Sequence, residues 1–93
     1  MKGSVLTNDL GHCFICGRTN PEIHHIFFGT SNREISGKLG YVIPLCTEDH
    51  RGNRGVHHNR PFDYMLKCFA QQHFEQNIGN RDEFRKRFGK SYL

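Results

Sequence analysis

Cys13-Phe14-Ile15-Cys16 sets two thiols two residues apart, and Pro44-Leu45-Cys46-Thr47-Glu48-Asp49-His50 adds a third with a carboxylate and an imidazole close behind. Between them stands His24-His25, and Gly55-Val56-His57-His58 follows. Thiolate and imidazole are the ligands of a structural zinc ion, which takes four of them from two turns brought together by the fold. Cys13 and Cys16 make one half of such a site and Cys46 begins the other. Asp49 stands three positions after Cys46 and His50 four. Imidazole is the better partner for zinc beside thiolates, so the expected ligands are Cys13, Cys16, Cys46 and His50. Cys68 flanks the apolar stripe of a helix, where a free cysteine serves as a small buried hydrophobe.

Disulfides are the competing use of four cysteines. No apolar run follows Met1-Lys2-Gly3-Ser4 and none is long enough to span a bilayer. The expectation is a cytoplasmic protein, in a reducing compartment where clustered Cys and His read as metal ligands.

Seven histidines in 93 residues is a heavy load. Adjacent imidazoles on a strand suit the hydrolysis of phosphodiesters. One can bind a divalent ion that stabilises the leaving oxygen. The other, with an ordinary pKa near 6.5, can take a proton from water at neutral pH. The formal charge is +4, and Arg51, Arg54 and Arg60 crowd the region of the candidate ligands without a carboxylate from 50 to 60. Cations so placed favour a phosphate backbone, because binding releases condensed counterions.

These groups need a scaffold. The length allows one domain, 1–93, with a core at about 11–60 and a helical extension at about 61–93. A core that small benefits from a metal staple. Residues 1–12 show no period and read as a loose lead-in. The turn at 13–18 has the form of a zinc knuckle, with Gly17 free to take the left-handed conformation. Residues 23–28 alternate as a strand, sending His25 to one face and His24 to the other. A short helical turn is expected near 34–38, then a strand at Tyr41-Val42-Ile43 that Pro44 ends or places at an edge. A helix starts near Cys46 or Thr47 and breaks before Gly52 and Gly55. Pro61 opens a longer helix whose stripe is Phe62, Met65, Leu66, Phe69, Ala70, His73 and Phe74. Asn80 with Glu83 forms a capping box for a last helix, which Gly89 stops.

The order Cys-x-x-Cys, His-His-Ile on a strand, Pro-Leu-Cys with a His at a helix start, and a later His resembles the HNH nuclease superfamily. The run from Cys13 to Leu93 is similar to small phage- and prophage-encoded HNH-type proteins, with Ser31-Asn32-Arg33-Glu34-Ile35-Ser36, Gly55-Val56-His57 and the ending Phe88-Gly89-Lys90-Ser91-Tyr92-Leu93 in support. The resemblance implies an α+β fold of the treble-clef, ββα-metal kind, with a short β-hairpin and added C-terminal helices. It implies a DNA endonuclease in a bacterial host cell, acting on double-stranded DNA. In it Cys13, Cys16 and Cys46 hold structural zinc and His25 is the general base. His24 and His57, with His58 as the alternate, hold a catalytic Mg2+, Mn2+, Ni2+ or Zn2+ ion. The middle Asn of such proteins has Asn32, Asn53 and Asn59 as its candidates here. The position before the helix histidine, often Cys or His in HNH proteins, is Asp49, and if Asp49 closes the zinc site His50 is free for the catalytic ion. The alternative reading is a treble-clef module that binds nucleic acid or a protein partner and cuts nothing.

Overall fold

The computed structural model describes residues 3–93; Met1 and Lys2 of the expected lead-in lie outside the described residues. The chain is a small α+β structure in which two short strands and a set of helices share one core. Strand β1 (Glu22–His25) pairs antiparallel with β2 (Val42–Leu45), matching Glu22 to Leu45 and His25 to Val42. Their connection carries helix α1 (Thr30–Leu39). After β2 come α2 (Thr47–Arg51), a 3-10 turn (Val56–His58), α3 (Arg60–Asn77) and α4 (Arg81–Phe88). Among the described residues no helix is long and apolar enough to cross a membrane.

Pro44 lies inside β2, not after it. The register explains why. Ile26 N–H bonds to Tyr41 C=O at 3.0 Å, so bonded pairs fall at every second residue and Pro44, opposite Ile23, belongs to the unbonded class. Its missing N–H would have faced away from β1 and costs no ladder bond. Its carbonyl, on that outer side, accepts Phe14 N–H at 2.7 Å and so ties the 13–18 turn to the sheet. Gly17 closes that turn with φ 80°, as its place after the second thiol leads one to expect.

Helix α1 is longer than the single turn expected: Ile35 and Leu39, four residues apart, pack on the core, and a buried hydroxyl between them ties the helix to both strands' ends. Ser36 is fully buried; its hydroxyl donates to Tyr41 C=O at 2.6 Å and accepts Phe27 N–H at 3.3 Å. Gly40 ends the helix at φ 81°. A Cβ there would meet Gly3 O at 2.8 Å and Val5 Cγ1 at 2.9 Å, so only glycine fits. The lead-in is correspondingly less loose than expected: Val5 N–H bonds to Gly40 C=O and Leu6 packs on the core.

The core gathers Phe27, Tyr41, Phe74, Phe84 and Phe88, with Phe27 and Phe88 ring centres 4.2 Å apart. Burying an aromatic side chain of this kind stabilises by roughly 3 kcal/mol. Helix α3 contributes Leu66, Ala70 and Phe74 to it, an i, i+4, i+8 line. Met65 and Phe69, expected on the same stripe, lie one step round the helix and are exposed beside Phe14 and Ile15. Asn80 and Glu83 form the reciprocal capping box of α4, a cap worth about 1 kcal/mol.

Candidate functional site

The 13–18 turn and the start of α2 converge on one group of side chains. One ligand atom each from Cys13, Cys16, Cys46 and Asp49 lie within 4.8 Å of one another, and the four could bind a metal ion. Asp49 Oδ2 is 3.3 Å from both Cys13 Sγ and Cys46 Sγ, and Cys16 Sγ is 3.6 Å from Cys46 Sγ. Cys46 is also the N-cap of α2, its sulfur accepting Asp49 N–H. Burial works against the Cys13 thiolate, yet the backbone N–H groups of Cys16, Cys46 and Ile15 outweigh it and lower its pKa. At Cys46 the Asp49 N–H favours the thiolate, while burial and the neighbouring Asp49, Cys16 and Cys13 side chains push the pKa up to about 11. Four acidic groups packed this closely repel as anions, and a divalent cation between them removes that cost.

The expected fourth ligand is therefore corrected. His50 does not join the thiols; it turns to the other side of α2 and meets His24 and His57. The ring centres of these three histidines are 4.8 to 5.2 Å apart. His50 Nε2 and His57 Nε2 are 3.1 Å apart. Glu22 Oε1 accepts from His50 Nδ1 at 2.7 Å, leaving Nε2 to face the other rings. Glu22 also pairs with Arg51, and its carboxyl is held below its usual pKa by the His50 hydrogen bond first and Arg51 second.

His24 is the buried member, 1% exposed, and its Nε2 has no hydrogen-bond partner. A buried ring nitrogen left unpaired is costly, and a metal ion is one partner that would satisfy it. Burial, helped by the charges of His50, His57, His25 and Lys67, lowers its pKa to about 3. The ring is thus neutral near pH 7, the form that binds metal. The donor set fits a divalent ion: three imidazoles, one of them oriented by a carboxylate.

The chain matches no protein-family model, no curated protein and no solved structure. What the site can do rests on its own geometry.

His25 was expected on the opposite face from His24. Both line one cavity of about 180 Å³, together with Phe28, Arg33, His50 and His57. Alternation still holds within β1, where His24 is buried while Ile23 and His25 are partly exposed, and all three border this shallow cavity. His25 is only partly buried, and burial first, then the Arg33 charge, lowers its pKa. His58 is exposed and stands outside the three-histidine group. Cys68 is no ligand either; its thiol donates to Tyr92 C=O at 3.1 Å.

The three arginines do not act as one free patch. Arg51 is committed to Glu22, Arg54 is exposed, and Arg60 lines a separate, larger cavity. None of the candidate asparagines lines the His25 cavity. Asn32 donates to Phe88 C=O and Asn59 caps α3. Glu22 is the residue that sequence reasoning missed. Its signal was present, since Glu22 and His24 are two apart and share a strand face.

Proposed function

We propose that the chain is a metal-dependent endonuclease of the HNH kind, hydrolysing phosphodiester bonds of DNA. The observation that carries this reading is the convergence of His24, His50 and His57, one with a buried unpartnered nitrogen, on a cavity that His25 also lines. In this reading Cys13, Cys16, Cys46 and Asp49 hold a structural zinc, and the 13–18 turn, the two strands and α2 form a treble clef.

A divalent ion bound by His24, His50 and His57 would stabilise charge on the scissile phosphate and the leaving oxygen. His25 takes a proton from the attacking water, with its imidazole neutral at pH 7 and partly open to solvent. Glu22 keeps His50 in the tautomer with Nδ1–H, so Nε2 presents its lone pair. Arg33 at the cavity rim offers a cation to the phosphate.

Plasmid nicking with Mg2+, Mn2+, Ni2+ or Zn2+, against chelator, tests the reading. Metal-dependent nicking that His25→Ala abolishes is expected. Equal nicking by parent and His25→Ala would remove the role given to this residue.

A second reading, a module that binds a protein and cuts nothing, has its own observation. Phe14, Ile15, Met65 and Phe69 are exposed together around an apolar hollow, and patches of this kind serve partner proteins. Metal-independent, inactive protein in the nicking assay would favour it.

A further inference from the structure

Beside the histidine cavity lies a second, wider one of about 670 Å³, between the start of α3 and the C-terminal tail. Its walls include Arg60, Asp63, Tyr64, Lys67, Lys90 and Tyr92. Three of these are cations and one is an acid. That acid, Asp63, is already committed to Lys67 at 2.9 Å. Arg60 and Lys90 are exposed and form no ion pair among the described residues. The hollow is therefore left with two unmatched positive charges at its rim.

Its aromatic wall is equally open. Tyr64 is 49% exposed and meets Tyr92 edge to face, with ring centres 5.7 Å apart. Lys90 Nζ stands 5.0 Å from the Tyr92 ring centre. The two cavities are joined through three side chains: Lys67 Nζ is 4.2 Å from the Phe28 ring, and that ring is 5.2 Å from His57. Cations that track a backbone, interleaved with rings on which bases stack, are the means by which proteins hold unpaired nucleic acid. A duplex would offer phosphates to Arg60 and Lys90 but no free base face to Tyr64.

We propose that this hollow holds an unpaired stretch of DNA strand beside the bond that is cut, with phosphates on Arg60 and Lys90 and a base laid against Tyr64. The inference rests on the nuclease reading for its direction, since the histidine cavity supplies the adjoining reaction site. It adds a substrate preference that the histidines do not dictate: DNA with a single-stranded segment at the cut.

The test is fluorescence anisotropy of a 5′-fluorescein 12-mer of thymidylate and of a 12-base-pair duplex, without added divalent ion so that nothing is cut. The parent should bind the single strand more tightly than the duplex. Tyr64→Ala should weaken single-strand binding about 5- to 100-fold, while Tyr64→Phe, which keeps the ring, stays near the parent. Lys90→Ala should lower the slope of log affinity against log salt by about 0.7, the share of one phosphate contact on a single strand. Circular dichroism and melting confirm that these surface variants fold. Single-strand binding by Tyr64→Ala and Lys90→Ala equal to the parent's overturns the proposal, as does a parent that prefers the duplex. Plasmid nicking separates the two readings. Metal-dependent nicking with unaltered binding by the variants removes the hollow alone; a parent that neither binds nor nicks removes both.

Discussion

Asp49 and His50 are consecutive residues of one five-residue helix, yet they serve different clusters. Asp49 Oδ2 lies 3.3 Å from two thiol sulfurs, while His50 Nε2 lies 3.1 Å from Nε2 of His57. Consecutive helical side chains diverge by about 100°, so α2 stands between the two sites as a shared wall. Replacing each residue should therefore affect different ions. On the proposed reading, Asp49→Ala should release an ion bound by the thiols and lower the melting temperature, because a structural metal contributes directly to folding. His50→Ala should keep binding at the thiols, and the stability that goes with it, but lose binding at the three histidines. Metal analysis before and after mild chelation checks both; an unchanged thiol-site ion in Asp49→Ala would return that ligand's place to another group.

Removing a thiol is the harsher change. Cys13→Ser is expected to cost several kcal/mol of stability and to leave most of the chain unfolded, since Cys13 is buried and joins the cluster across 36 residues from Asp49. A Cys13→Ser protein that melts cooperatively near the parent's temperature would show that no metal staples this end.

Glu22→Ala should act on the second site without touching its ligands. The carboxylate accepts from His50 Nδ1 and fixes the ring, and loss of such a partner weakens metal binding by about 10- to 100-fold. Titration calorimetry with Ni2+ or Mn2+ reads this directly. Its effect on stability should be small, as expected for a partly exposed ion pair.

The proposed cleavage should carry the mark of His25 in its pH dependence. A base must be deprotonated, and burial together with Arg33 lowers the pKa of this ring from its ordinary 6.5. The rate should hold steady as pH falls through 6.5 and drop only at more acidic values. Arg33→Gln removes a cation that disfavours protonation, so its acidic limb should move upward. Rates for parent and Arg33→Gln that fall together at one pH would separate the two groups.

Gly40 offers a test of the fold alone. Gly40→Ala must accept a left-handed backbone and a Cβ pressed on Gly3 O and Val5. A cost of about 1–3 kcal/mol is expected for such strain, measured by urea denaturation. An unchanged midpoint would mean that the lead-in yields easily.

Features set by adjacent residues could be read directly from the sequence. The left-handed Gly17, the break of α2 before Gly52, the Asn80–Glu83 box and the three-thiol grouping each depend on neighbours or on ligand chemistry. What could not be read depends on distant partners. The choice between Asp49 and His50 is made by how α2 is rotated against β1, where Glu22 waits for His50. That His24 and His25 border one cavity depends on His50, His57 and Arg33 closing round the end of β1, partners that lie far along the chain. The stripe of α3 was drawn too wide because apolar identity does not say which of Met65 and Leu66 the core reaches. Helix α1 exceeds the single turn its sequence suggests because only Ile35 and Leu39 carry an apolar signal there, and Ser36 adds its anchor through hydrogen bonds.

Pro44 has a consequence for how these molecules behave in a crowd. A two-stranded sheet has two margins, and a margin left open invites a strand from another chain and then aggregation. On the outer side of β2, Pro44 offers no N–H, and its carbonyl is already taken by Phe14. A newcomer strand finds neither donor nor acceptor at that point. The same proline that the sheet tolerates at no cost thus seats the 13–18 turn against β2, whose four residues are all buried, and that margin is closed to a strand from another molecule.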